Sequence, residues 1–453
     1  MSNEILEMIE EKKYTRLRKQ LTEMNPADIA GIFEELSPKD LPIIFRILPK
    51  ELAAETFVEM DSDMQQQLLE GFSDKEIRDV MDELFMDDTV DIIDEMPATV
   101  AKRILKQTDA TTRKLINKLL AYPDDSAGSI MTTEYIDLKK DMTVDEAFDR
   151  IRFLGVDTES IYTCYVTDKS RRLLGVVTVK ELLLNPKDMV IGKIMRENII
   201  FANTFDDKEE VAGQFRKYDL VMLPVVDKEE RLVGIVTVDD AIDVIEEEAT
   251  EDIEKMAAIV PTEKSYFKAG VFDTFKSRIP WLMLLMISAT FTGAIISSFE
   301  SKLTVFPALI AFIPMLMDTA GNCGSQSSVT VIRGISLGDI KFKDIFRVLW
   351  KEIRVAVCCS VALAAVNFLK LWIIDYMIFG NFDSGKQFAE IAVVCLTMML
   401  TVIAAKIVGC VLPVLAKKIG FDPAVMASPF ITTIVDAIAL VIYFNFAVLM
   451  LGI

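Results

Sequence analysis

The spacing of hydrophobic positions changes once along this chain, near residue 280. Beyond it, five stretches (279–299, 303–332, 355–379, 388–415 and 423–451) are apolar over the roughly 20 residues that a spanning helix needs. Their connections alternate in charge. Lys268, Lys276 and Arg278 precede the first stretch, Arg333, Lys341, Lys343, Arg347, Lys351 and Arg354 fill the second connection, and Lys417 and Lys418 the fourth, while 300–302 and 381–386 are nearly neutral. Basic connections stay on the cytoplasmic side, so the pattern predicts a cytoplasmic N-terminus and an extracytoplasmic C-terminus in a multi-pass protein of the cell membrane.

Before residue 280 the apolar runs are short. Residues 1–127 alternate brief amphipathic segments with Asn25-Pro26, Ser37-Pro38 and Pro49, and since proline suits the first position of a helix, they predict an all-α superhelical domain. An internal repeat follows: 131–184 and 195–245 share one pattern, and DKSRRLLGVVTVKELL aligns with DKEERLVGIVTVDDAI. Tyr162 to Thr167 and Leu223 to Val226 read as buried strands, with a helix closing each unit. The repeat resembles a tandem pair of α+β CBS domains, 128–193 and 194–245, a module that commonly senses adenosine nucleotides or ions. Thr237 and Asp240 match the Thr-x-x-Asp pattern such modules place on ribose and phosphate, which makes ATP or another adenine nucleotide a candidate cofactor. Helix capping by Thr237 is an equally available reading. Residues 246–275 carry on as an acidic connecting helix into a five-helix transmembrane domain, 276–453.

Charge separates the two halves further. The 453 residues carry a net charge of −20, of which residues 1–280 contribute −22 and the remainder +2. So acidic a surface disfavours nucleic acid and suits cations. The chain has no histidine, which removes the commonest transition-metal ligand and the usual general base, so zinc-hydrolase and Ser-His-Asp chemistry are excluded and no enzyme is expected. Six cysteines, none in a CxxC arrangement, read as small apolar packing residues. The start, MSNEILEMIEEKKY, lacks the basic and apolar character of a signal peptide.

Against this background Asp436, in the middle of the fifth stretch, is the most informative residue. A carboxylate at mid-bilayer costs several kcal/mol unless it faces protein or a water-filled cavity, so it marks an ion or proton path. Counted from Pro423 at 1.5 Å per residue, it lies roughly 20 Å in. Ser428, Thr432 and Asp436 share a helix face with Pro429 and Thr433 alongside, and Asp318, Asn322 and Ser325 form a similar stripe in PMLMDTAGNCGSQSS. A carboxylate held in an interhelical hydrogen bond is the plainer alternative for Asp436. Oxygen-only ligands select hard cations such as Mg²⁺ or Ca²⁺, and Mg²⁺ usually keeps several waters. One aspartate per chain is thin for a divalent ion, which predicts a homodimer that brings two copies of Asp436 together on its axis.

Taken in order, the acidic helical domain, CBS pair, connecting helix and five spans with GNCGSQ and SPFITTIVDAIAL resemble the MgtE family of magnesium channels from end to end. The resemblance implies a homodimer whose pore is formed mainly by the second and fifth spans, with Asp436 as the selectivity carboxylate. It also implies that cytosolic Mg²⁺ bridges carboxylates of the soluble domains and connecting helix to shut the pore, falling here on Asp87, Asp91, Asp219 and Asp252, with Asp88 and Glu251 beside them. An ion-coupled carrier of broader selectivity (Mn²⁺, Co²⁺), with CBS domains modulated by nucleotide, is the alternative.

Overall fold

The computed structural model describes residues 11–155, 158–262, 269–300, 307–373, 386–426 and 428–451, together with Ile5, Met8, Ile9 and Tyr266. The chain divides into two compact units, Met1–Glu246 and Glu247–Ile453.

In the first unit, helices of 5–10 residues follow one another from Tyr14 to Leu119, each too short to stand without packing its apolar face on neighbours. Their starts are written locally. Asn25 accepts from the Ala27 N–H ahead of Pro26–Phe33, Asp61 caps Ser62–Gly71, and Ser73 with Glu76 forms a capping box for Asp74–Met81. Ser37-Pro38, expected to start a helix, instead makes a turn closed by Ser37 Oγ on Asp40, and the helix begins at Leu41. Leu68, Leu69, Phe57 and Ile77 lie in a core shared with Val211, Phe215, Leu223 and Val236 of the second repeat.

Each repeat builds a three-stranded sheet of the same design. β1 (Asp137–Lys139) runs parallel to β2 (Thr163–Thr167), which pairs antiparallel with β3 (Leu173–Thr178); β4 (Ala202–Asn203), β5 (Met222–Val226) and β6 (Leu232–Thr237) repeat the order. Even the register shifts match, between Val166 and Thr167 and between Val225 and Val226. The repeats also lock each other. A Cβ on Gly175 would lie 2.9 Å from Met195 Sδ, and one on Gly234 2.7 Å from Met131 Sδ, so each unit's glycine makes room for the methionine that opens the other.

A 19-residue helix, Val238–Met256, starts inside the second repeat and continues into the second unit. That unit holds five long helices among its described residues: first Val271–Ser298, second Ile313–Ser336, third Ile345–Ile373, fourth Lys386–Lys418 and fifth Ser428–Leu451. Four segments are long and apolar enough to cross a membrane, Val271–Ser298, Phe342–Ile373, Ala389–Lys418 and Pro423–Leu451. The second helix, with its polar stripe, is not among them. It starts at Ile313 with Pro314 in its first turn, so the proline sets the start and breaks nothing. The fifth helix likewise starts at Ser428, after a 3₁₀ turn over Pro423–Met426, and Asp436 therefore lies about 12 Å along it.

Candidate functional site

Small residues bring the second helix against its neighbours. A Cβ on Gly321 would lie 2.4 Å from Thr432 Cγ2 and 3.7 Å from Asp436 Oδ1, and one on Gly409 only 2.2 Å from the Gly324 carbonyl oxygen. The second helix thus crosses the fifth at Gly321, where the Thr432 side chain lies against its backbone, and the fourth at Gly324, where the two backbones nearly touch. At the first crossing Asp436 Oδ1 is covered and has no hydrogen-bond partner among the described residues. Asp318 lies near enough for the two charges to repel.

The other residues of these stripes are placed unequally. Asp318 and Asn322 are exposed in the single chain, and Ser325 is half-buried. Thr432 and Thr433, expected on the path that Asp436 marks, donate their hydroxyls to the Pro429 carbonyl at 3.2 and 3.0 Å. The proline's oxygen is satisfied by its own helix, and the two threonines keep only acceptor capacity for anything else. The Ser428 side chain lies outside the described residues.

Carboxylates of the first unit gather at the start of Met86–Glu95. Asp87 and Asp88 occupy the first turn, where the helix dipole favours them, while Asp91 and Asp94 are exposed further along. Met86 N–H donates to Glu134 Oε2 at 3.0 Å, which ties this helix to the first repeat. Asp239 and Asp240 open the long helix on the same cluster, with Glu159 beside them. Burial and then the Asp240 charge hold the Asp87 carboxyl well above the usual carboxylate range. Burial, followed by Asp240 and Asp239, pushes Asp88 up to about 7, and burial, followed by Asp239 and Asp88, does the same to Glu159. Asp219 stands apart: it caps Lys208–Tyr218 in the left-handed conformation at φ 51°, is exposed, and is not among the carboxylates acting most on Asp87 or Asp88.

Thr237 and Asp240 belong to this cluster as a capping pair. Thr237 Oγ1 and its N–H both donate to Asp240 Oδ2, and Thr178 with Glu181 makes the same closure in the first repeat. The Glu in place of Asp is therefore a longer arm on one local device, and Thr237 works here as a helix cap.

In the second unit, the end of the long helix sits on the membrane helices. Ser336 Oγ donates to Asp252 Oδ2 at 3.2 Å, and Lys255 pairs with Asp422 at 2.7 Å and with Glu251. Met256 packs on Ile332 and Ala424. Burial and the Asp422 charge push the Asp252 carboxyl up. Burial opposes the Lys255 ammonium, yet hydrogen bonds to Asp422 and Glu251 outweigh it and raise it further.

Sequence reasoning missed two charges in the bundle. Lys406 and Glu352 are 4% and 8% exposed, and both lie against the buried Ser327. Lys406 stands inside the predicted fourth stretch, and a lone cation in an apolar run was the available signal. Among the described residues no three carboxylates or cysteines converge to hold a bare metal ion. All-oxygen groups that repel one another, such as Asp87, Asp88, Asp240 and Glu159, still fit an ion that keeps its waters.

A bundle of long apolar helices with a covered carboxylate, unpartnered among the described residues, at the crossing of its second and fifth helices, and with a CBS pair and an acidic helical domain in the same chain, has the features of a cation transporter of the membrane. Comparison with known proteins agrees. Residues 313–446 match the MgtE divalent cation transporter model, 24–125 the MgtE intracellular N domain, and 127–187 and 191–247 the CBS domain. The chain is 34% identical over 449 residues to the magnesium transporter MgtE of Thermus thermophilus (98% of this chain, 97% of that one) and 32% identical over 447 residues to that of Bacillus subtilis (98% and 96%). The crystal structure of the cytosolic domain of the Mg²⁺ channel MgtE in complex with ATP matches 54% of this chain and all of its own, at 34% identity and a TM-score of 0.52. The soluble part of a magnesium transporter matches 55% and 98% at 29% identity and a TM-score of 0.51. The chain belongs to the MgtE family.

Proposed function

We propose that this protein imports Mg²⁺ across the cell membrane as a homodimer, through a path between its second and fifth helices, and that cytosolic Mg²⁺ closes the path. The observation that carries the reading is Asp436 Oδ1, covered and without a hydrogen-bond partner among the described residues, at the Gly321 crossing. Left alone, such a group costs free energy, and its twin across a dimer axis with a hydrated divalent ion between them removes that cost. The relatives that match over nearly the whole chain are magnesium transporters, which supports Mg²⁺ as the ion. The charge of the connections supports an N-terminus in the cytoplasm and a C-terminus outside.

Closure follows from electrostatics. At high internal Mg²⁺ the ions neutralise Asp87, Asp88 and Asp91 of the helical domain, Asp219 of the second CBS domain, and Glu251 and Asp252 of the connecting helix, and the compact state is favoured. When Mg²⁺ falls, repulsion separates these groups and the path opens. The solved relative with ATP supports an adenine nucleotide as a further ligand of the CBS pair.

The test is flux in proteoliposomes. Asp436→Ala should abolish Mg²⁺ uptake, while Asp87→Asn, Asp91→Asn and Asp252→Asn combined should leave uptake that high internal Mg²⁺ no longer suppresses. Full uptake by the first variant would overturn the conduction site, and normal suppression in the second would overturn the gating scheme. Uptake that needed a proton or Na⁺ gradient would establish a coupled carrier in place of a channel.

A further inference from the structure

We infer that Lys406, Ser327 and Glu352 form a buried clamp that fixes the rotation of the second helix and thereby positions the conduction site proposed above, on which this inference rests. Lys406 Nζ donates to Ser327 Oγ at 3.2 Å, and Ser327 Oγ donates to Glu352 Oε2 at 2.7 Å. The ammonium and carboxylate themselves stand 4.0 Å apart. The three residues come from the fourth, second and third helices, so a single serine hydroxyl is held between opposite charges on two neighbours.

Stability does not explain this arrangement. A cation in an apolar span is costly, and a buried ion pair rarely improves on well-packed apolar residues. What a directional pair does supply is register. At about 100° per residue Ser327 lies on the far side of the second helix from Asp318, about 180° away, and about 140° from Asn322. The clamp therefore grips the back of the helix whose front carries the polar stripe. Beside it the Gly324 carbonyl abuts Gly409, and Gly321 abuts Thr432 and Asp436. Glycines allow sliding and rotation at such crossings because they offer no knobs, and the Lys–Ser–Glu chain ties this helix directionally to two neighbours, next to Ser328, whose Oγ donates to the Met426 carbonyl at 2.8 Å. Lys406, Ser327 and Glu352 are positioning residues, and none of them touches the ion.

The experiment uses the full-length protein in proteoliposomes, with Mg²⁺ and Na⁺ fluxes measured in parallel and amide hydrogen exchange followed over residues 313–336. Ser327→Ala is expected to lower the preference for Mg²⁺ over Na⁺ by roughly tenfold, because a site loosened by a fraction of an ångström loses its geometry. It should also raise exchange in the second helix, and Ser327→Thr, which keeps the hydroxyl, should restore both. The exchange pair Lys406→Glu with Glu352→Lys should recover more selectivity than either single change, which guards against a Ser327→Ala protein that fails to fold. Wild-type selectivity and exchange in Ser327→Ala, or a swap no better than its single variants, would overturn the clamp. Absence of Mg²⁺ flux in the wild type would overturn the proposed function instead, and the exchange comparison would then decide the clamp alone.

Discussion

Gly321 sets how closely two helices approach at the residue on which conduction is proposed to depend. A methyl group there would meet Thr432 Cγ2 at 2.4 Å, and a β-branched side chain in a helix has little freedom to turn away. The helices must then part, and Asp436 moves off its position. Gly321→Ala is expected to cut Mg²⁺ uptake by at least roughly tenfold, an effect typical of shifting reacting groups by about 1 Å. Gly293→Ala in the first helix, with nothing within 4 Å, should leave uptake unchanged, and equal uptake by both variants would refute the crossing's role. Asp436 itself is legible in the sequence, since a carboxylate in an apolar run is a strong signal. Lys406 and Glu352 are less so. Glu352 falls three residues before the predicted third stretch, among basic residues that give it an ordinary surface reading, and only the third dimension joins it to Ser327.

The connecting helix shows how an element can carry information that its own sequence conceals. Its acidic run reads equally well as a solvated linker, and the repeat pattern does not tell that Asp239 and Asp240 at one end face Asp88 while Asp252 and Lys255 at the other hold Ser336 and Asp422. Some helix starts, such as that at Asn25-Pro26, and the two matched sheets are legible because they depend on neighbours in sequence, whereas Ser37-Pro38 and the starts of the second and fifth helices are not. The pairing of distant carboxylates depends on packing between elements, and neither the residue pattern nor the family resemblance pointed to Asp239, Glu159 or Asp422 as partners of Asp88 and Asp252. Lys255 supplies the test. It is the cation of a cluster otherwise made of Glu251, Asp252 and Asp422, at 24% side-chain exposure. Lys255→Gln removes a half-buried pair of about 1 kcal/mol, so the internal Mg²⁺ needed to halve uptake should rise a few fold. An unchanged midpoint in flux measurements across a series of internal Mg²⁺ concentrations would separate this contact from gating.

For the molecule as a whole, the Asp87 cluster makes stability depend on protons and, on the gating scheme proposed above, on divalent ions. Asp88 and Glu159 titrate near about 7 in the folded chain, against about 4 when unfolded. Between those values the folded state binds more protons than the unfolded one, so stability falls as pH rises through the window and the full cost is present above about pH 7. On the gating scheme proposed above, Mg²⁺ acts on the same charges in the opposite sense, by binding the ionised cluster only when it is assembled. Without divalent ions, the melting temperature of the first unit should be highest near pH 5 and lower at pH 8 by on the order of 5 °C. Millimolar Mg²⁺ should flatten that slope by stabilising the protein at pH 8 and doing little at pH 5, where protons already neutralise the site. Asp88→Asn should reduce both the slope and the Mg²⁺ response. Melting curves over this pH range, with and without Mg²⁺, would count against the cluster as an ion sensor if the slope ran the other way or if Mg²⁺ shifted the melt equally at both ends, because a general salt effect has no reason to follow the protonation of these carboxylates.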